Sequence, residues 1–236
     1  MSIFTYHLVK TSISSSLRLL FFSMKSKNIK GLIHAEKMIA MTLGSPIFSP
    51  KRMLFKEVVI FAQWESELDI DNFLNDTKIG ITLSKGWHTR LTFVRQWGKL
   101  AAFNLTNIPY QINENAPVVA VTIARMKFLA IPRFLKWGRQ VEQLVRDHPG
   151  TTLSLASIRF PNTISTFSIW KKESDMLQMV HGHSNVPQPK RHSAAMKERD
   201  RKDFHFEFTT LRFIPISEFG EWNGKSNLIP FLIKEN

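Results

Sequence analysis

Hydrophobic and polar positions along this chain switch repeatedly between two periods, and the switching predicts its elements. The segments Phe55–Trp64, Trp87–Arg95, Val118–Met126, Thr151–Phe160, Thr163–Trp170 and Phe204–Ile216 are rich in β-branched and aromatic residues and predict strands. A first strand over Ile3–Val9 and a helix over Ser14–Met24 precede them. Arg133–His148 places Phe134, Trp137, Val141, Leu144 and Val145 on one helical face, and Pro149-Gly150 ends that helix.

Laid side by side, the two halves of the chain form a weak internal repeat, each reading strand, helix, strand, strand, helix, strand. VVIFAQW (58–64) runs into ESELDIDNFL as ISTFSIW (164–170) runs into KKESDMLQMV, which equates Phe61 with Phe167 and Trp64 with Trp170. Lys85-Gly86-Trp87-His88 and Lys202-Asp203-Phe204-His205 each open the last strand of a half, so His88 is expected to mirror His205. The β-α-β-β-α-β order is the ferredoxin-like motif. The fold expected is therefore α+β, with two ferredoxin-like repeats (1–103 and 118–236) joined into one α+β barrel. The aperiodic stretch 104–117 serves as their linker, and a pocket between sheet and helices is the expected ligand site.

With 43% hydrophobic and 11% aromatic residues, the chain can bury a real core. The absence of cysteine excludes disulfides, thiolate metal sites and cysteine nucleophiles, and fits a cytoplasmic setting. Apolar runs such as Leu19–Phe22 and Val58–Ala62 fall far short of the roughly 20 residues of a membrane span. The first 30 residues carry Lys10, Arg18, Lys25, Lys27 and Lys30, several serines and no acid, as a transit peptide does; the preferred reading is the strand and helix above. A net charge of +13 attracts polyanions, yet bases and acids are interleaved in most segments. No specific nucleic-acid partner is expected, whereas peripheral membrane contact is compatible with the charge. Walker loops, dinucleotide fingerprints, nucleophile elbows and HExxH are all missing.

From about Val118 to Leu228 the chain resembles the spheroidene monooxygenase-like proteins. The residues that carry the resemblance are Pro149-Gly150, Thr166-Phe167-Ser168-Ile169-Trp170, His192, Glu207, Arg212-Phe213 and Gly220-Glu221-Trp222-Asn223-Gly224. Phe204-His205 stands where those proteins have an aromatic pair, and Ile164 where they have a glutamine, which implies a different substrate. The resemblance implies a ferredoxin-like barrel and haem-dependent oxygenation of a long apolar molecule; cofactor-free monooxygenation is the related chemistry left open.

Histidine is the informative residue type, since its neutral ring ligates metals and its pKa lies near neutrality. Four of the eight fall between 181 and 205. His192, opening a helix, is the expected haem ligand by resemblance, with His183 and His205 as alternatives; Arg199, Arg201 and Arg212 are candidate partners for a propionate or an anionic substrate, Arg212 the best placed of the three. A metal site drawing on His181, His183 and a carboxylate is a weaker reading. His205 and Glu207 share a strand face, so Glu207 is expected to orient His205 as a general base, with Arg212 in the same strand; His88 and Arg90 share a face in the first half, and that near-symmetry favours the other reading, in which each pair makes cross-strand or inter-half contacts. Phe167, Trp170, Phe204 and Phe206 are expected to line the substrate pocket. The expectation is thus a monooxygenase, with haem or without it, acting as monomer or homodimer on an apolar, carotenoid- or lipid-like substrate; a barrel that binds a small molecule or haem without turnover is the rival.

Overall fold

The computed structural model describes residues 2–46, 49–103, 105–109 and 113–230, so residues 104 and 110–112 of the expected linker lie outside it. Eight strands close into one antiparallel barrel: β1 (Ile3–Lys10), β2 (Leu32–Met41), β3 (Met53–Trp64), β4 (Trp87–Lys99), β5 (Val118–Met126), β6 (Thr151–Arg159), β7 (Thr163–Trp170) and β8 (His205–Phe219). Around it lie α1 (Ile13–Phe21), α2 (Glu67–Asp76), α3 (Lys78–Ser84), α4 (Ile131–Asp147), α5 (Glu173–His181) and α6 (Arg191–Arg201).

The cyclic order β1-β3-β2-β6-β7-β5-β8-β4 keeps the strands of each half together. Each half runs last, first, third, second, which is the ferredoxin-like order, and the halves meet at the β2–β6 and β4–β8 seams. Closure removes every sheet edge.

One face of each strand fills the barrel. Phe4, Tyr6 and Leu8 of β1 point inward to Phe61, Phe93, Phe167 and Phe213, with the Tyr6 and Phe167 rings stacked 3.8 Å apart. The other face is covered by helices, so the strands are buried on both sides and read as near-continuous apolar runs. β2 is the strand whose pattern is least regular, because His34, Glu36 and Lys37 interrupt it. Glu36 is nevertheless fully buried, where Arg159 Nη1 approaches it to 2.7 Å and Arg125 Nη2 to 3.7 Å.

Strand register defines the repeat more sharply than sequence does. Trp64 stands opposite Ile3, and Trp170 opposite Val118. Carried through the β1–β4 and β5–β8 pairings, this makes Arg90 the equivalent of Arg212 and His88 the equivalent of Thr210. The expected mirroring of His88 by His205 is therefore corrected: β8 begins earlier relative to its partner than β4 does, and His205 lies beyond the shared register.

Candidate functional site

A cavity of about 460 Å³ lies between the second half's sheet and its helices. Its floor is the outer face of β5, β7 and β8. Ala120, Thr122 and Ala124 are small and leave the space open; Trp170, Phe208 and Thr210 surround them. The roof comes from α4 (Phe134, Trp137, Val141, Val145), α5 (Met176, Met179, Val180) and α6 (His192, Ala195, Met196, Arg199). The helical face expected for α4 thus supplies one wall. Leu43, from the β2–β3 loop of the first half, completes the lining.

Two imidazoles enter this apolar space, and in each one ring nitrogen is held by a hydrogen bond. His192 Nδ1 lies 3.1 Å from the Val180 carbonyl, which can only accept, so the proton sits on Nδ1 and Nε2 keeps its lone pair. Burial lowers the His192 pKa, the Val180 carbonyl opposes that shift, and the charges of His181 and Arg199 reinforce it. His205 Nδ1 lies 2.8 Å from Asp203 Oδ1, and its Nε2 is buried with no hydrogen-bond partner among the described residues. Burial lowers its pKa too, against the pull of Asp203 and with help from Arg199 and Lys127. The ring is held by Phe134, Phe204 and Phe208, with centroids 5.7, 5.7 and 4.9 Å away.

The carboxylate that orients His205 is therefore Asp203. Glu207 is directed elsewhere: it pairs with Arg125 and accepts from the Ala101 amide at 2.8 Å. A bulge between Arg125–Glu207 and Met126–His205 explains the separation, since it breaks the alternation that would have put residues 205 and 207 on one face. The signal that could have found Asp203 is its position two residues before His205, from which an aspartate readily accepts the local amide. It does so here, from His205 N at 3.0 Å.

Arg212 lines the cavity, but its Nη1 donates to the buried Glu173 at 2.5 Å and its guanidinium sits 4.7 Å over Trp97. Arg90 does the same in the first half, pairing with Glu67 and Asp71 and lying 5.3 Å over Phe219. In each half an arginine of the last strand clamps the first turn of a helix and stacks on an aromatic of the other half's last strand. That symmetry places Arg212 at the joint between the halves, at the edge of the cavity it lines.

The remaining expected residues divide. Trp170 and Phe204 line the cavity, as does Arg199, whose guanidinium lies 5.1 Å over Phe208. Phe167 is in the barrel interior instead, because its strand position faces inward. Phe206 is 68% exposed on the outside of β8. His183 is exposed in the turn after α5, 6.3 Å from the His181 ring and away from the cavity lining. No group of three or more His, Asp or Glu side chains among the described residues is placed to hold a metal ion, so His181 and His183 do not form one.

Neither family models nor curated proteins match this chain. Solved structures do. An aldoxime dehydratase in complex with butyraldoxime aligns over 96% of this chain and 85% of its own, with a TM-score of 0.56 and 9% identity. The likeness is one of fold. A putative monooxygenase from Fusobacterium nucleatum aligns over 93% and 94% (TM-score 0.40, 11% identity). A ferredoxin-fold protein related to antibiotic biosynthesis monooxygenases, from Listeria monocytogenes, aligns over 92% and 97% (TM-score 0.31, 12% identity).

Proposed function

We propose that the second-half cavity is the active site of a monooxygenase-type oxidoreductase that takes an apolar small molecule and binds haem through His192. The observation that carries this reading is the His192 ring. Ligating histidines typically donate their second nitrogen to a carbonyl or carboxylate, which fixes the tautomer and aims the lone pair; here the Val180 carbonyl does so from within an apolar cavity. The donor set fits haem, which needs one axial imidazole, apolar walls for the macrocycle and a cation for a propionate, and Arg199 supplies the cation. The spaced motifs between Val118 and Leu228 that resemble the spheroidene monooxygenase-like proteins support the same chemistry.

When bound, haem would supply the activation of dioxygen. The chain's own residues hold and exclude. Trp137, Val141, Met176 and Met179 keep water from the substrate, and an apolar, carotenoid- or lipid-like molecule is what such walls accept. His205 Nε2 can take or return a proton at the cavity wall while Asp203 holds the ring in place.

A haem titration followed by absorbance tests the assignment. A Soret band that His192→Ala abolishes and His183→Ala leaves intact is expected; no band, or one indifferent to His192→Ala, overturns it. One observation favours a second reading, cofactor-free oxygenation: the Asp203–His205 pair offers a base without any metal. Substrate-dependent oxygen uptake in haem-free protein, lost in His205→Ala, would establish that reading instead. Binding of an apolar probe without turnover under either condition would make the barrel a carrier.

A further inference from the structure

Helix α1 is built the wrong way round for a helix whose only task is to cover the barrel. Ser12 caps its start, its side chain accepting from Ser15 N at 3.2 Å. Lys37 Nζ closes its end by donating to the Leu20 carbonyl at 2.5 Å and to that of Phe22. Well fixed at both ends, it turns Ser16 and Leu19 toward the barrel. Ile13, Leu17 and Phe21, spaced i, i+4, i+8 and so aligned on one side, face outward and are 53%, 47% and 84% exposed. Phe22 extends the stripe.

The electrostatics around the stripe have one sign. No aspartate or glutamate occurs before Glu36. Arg18 on the helix and Lys25, Lys27 and Lys30 around the following turn are all exposed. The nearest acid along β3, Glu57, already faces Lys10 at 3.8 Å.

We propose that this face docks on an anionic lipid bilayer, with Ile13, Leu17 and Phe21 entering the headgroup–acyl boundary and the four cations meeting lipid phosphates and carboxylates. A surface helix with an apolar stripe flanked by lysine and arginine is the form that binds such an interface, and each cation near it adds to the attraction. Among the described residues no helix is long and apolar enough to cross a membrane, so the contact is peripheral. A second copy fits less well: a two-fold contact would set this surface, whose charges are all positive, against an identical one. A second exposed apolar group, Phe128, Leu129 and Phe206, lies by contrast in a stretch where bases are matched by acids, Glu198 pairing with Arg133 and Arg201 and Glu207 with Arg125. The inference stands on α1 alone and is independent of the cavity's chemistry.

Co-sedimentation of the full chain with vesicles tests it. Binding to phosphatidylcholine vesicles containing phosphatidylserine is expected to exceed binding to pure phosphatidylcholine by about tenfold or more, and to fall with salt. The Leu17→Glu/Phe21→Glu and Lys25→Glu/Lys27→Glu variants should each lose about tenfold or more of that binding, with circular dichroism unchanged, whereas Leu129→Glu should bind as the parent does. Absence of binding, equal binding to both vesicle types, or loss in Leu129→Glu rather than the α1 variants overturns the proposal. So does a parent protein that elutes as a dimer and becomes monomeric in Leu17→Glu/Phe21→Glu, since the face then belongs to a second copy.

Discussion

At the scale of the residue, the first half holds two histidines in a setting that makes stability depend on pH. His7 and His88 are buried and stacked, with centroids 4.9 Å apart, and His88 stacks on Phe219 at 4.8 Å. Burial lowers His7 well below its ordinary range and takes His88 to about 4; the neighbouring imidazole and Arg90 push His7 further, and Arg90 acts on His88 as well. The unfolded chain protonates both near pH 6.5, so below that pH it binds more protons than the folded chain. Stability is then complete above about pH 6.5 and declines toward pH 4, at about 1.4 kcal/mol per pH unit for each ring. Urea unfolding at pH 7 and pH 5 should show a loss of about 2 kcal/mol from His88 alone, and His88→Phe, which keeps an aromatic ring on Phe219, should make the pH dependence shallower. An unchanged slope would mean that His88 is not held neutral by the fold. The same scale shows where sequence reading stopped. That a carboxylate would hold the His205 ring was legible, because histidine at a strand start beside acids is a recognisable pattern. Which carboxylate was not, because strict alternation favours Glu207 and only the bulge at Arg125–Met126 hands the role to Asp203.

Among the elements, α4 does most to shape the cavity, and its position depends on a loop from the other half. Glu142, buried on α4, accepts from Arg52 Nη2 at 3.1 and 3.2 Å and from the Gly44 amide at 2.9 Å. Gly44 has φ +73°, and a Cβ there would meet Gln143 Cγ at 2.8 Å, so the loop approaches the helix as closely as only glycine allows. Arg146 Nη1 donates to the Leu43 carbonyl at 3.2 Å beside it. Breaking a buried pair leaves its survivor's charge uncompensated, which costs about 3–5 kcal/mol, whereas replacing both partners with apolar residues costs less. Glu142→Ala should therefore lower unfolding stability by about 3 kcal/mol, and the Arg52→Met/Glu142→Leu double variant should recover much of the loss in the same urea titration. If the double variant is no better than the single, the pair stabilises through its geometry and not through charge compensation. These contacts were invisible in sequence, since they join residues some 90 positions apart and neither residue carries a motif. Seven of the eight strands were legible, because burial on both faces gives long apolar runs. β2 was placed only by the repeat and had no range of its own, since a fully buried glutamate paired with distant arginines is written in a strand as if it were a surface position.

Across the whole molecule, one architecture is used twice, and the cavity of about 460 Å³ lies over the sheet of the second copy. Thr5 and His7 of the first half correspond to Ala120 and Thr122, and His88 corresponds to Thr210. In the first half two of these positions carry the buried, stacked rings of His7 and His88, and α2 turns into α3 so tightly that a Cβ on Gly80 would fall 1.8 Å from the Phe73 carbonyl. In the second half they carry threonine and alanine, Thr122 and Thr210 touch through their hydroxyls at 3.3 Å, and the cavity stands above them. The repeat was readable from the two tryptophan-ended strands, and the histidines and aromatics of the second half made it the expected place of the pocket; why that half is open was not readable, because that depends on register to the residue. If small side chains at these levels are what hold the cavity open, restoring the first half's ring should close it. Thr210→His is expected to weaken haem or apolar-probe binding by about tenfold or more, about 1.4 kcal/mol, because the imidazole occupies the floor where the ligand would lie. Stability should change less than ligand binding does, since the added ring enters existing space and displaces no packed neighbour. Unchanged affinity would place the ligand away from the β5–β8 floor, nearer α5 and α6, while a stability loss as large as the binding loss would mean that the floor is already close-packed and the open volume lies higher, under α4.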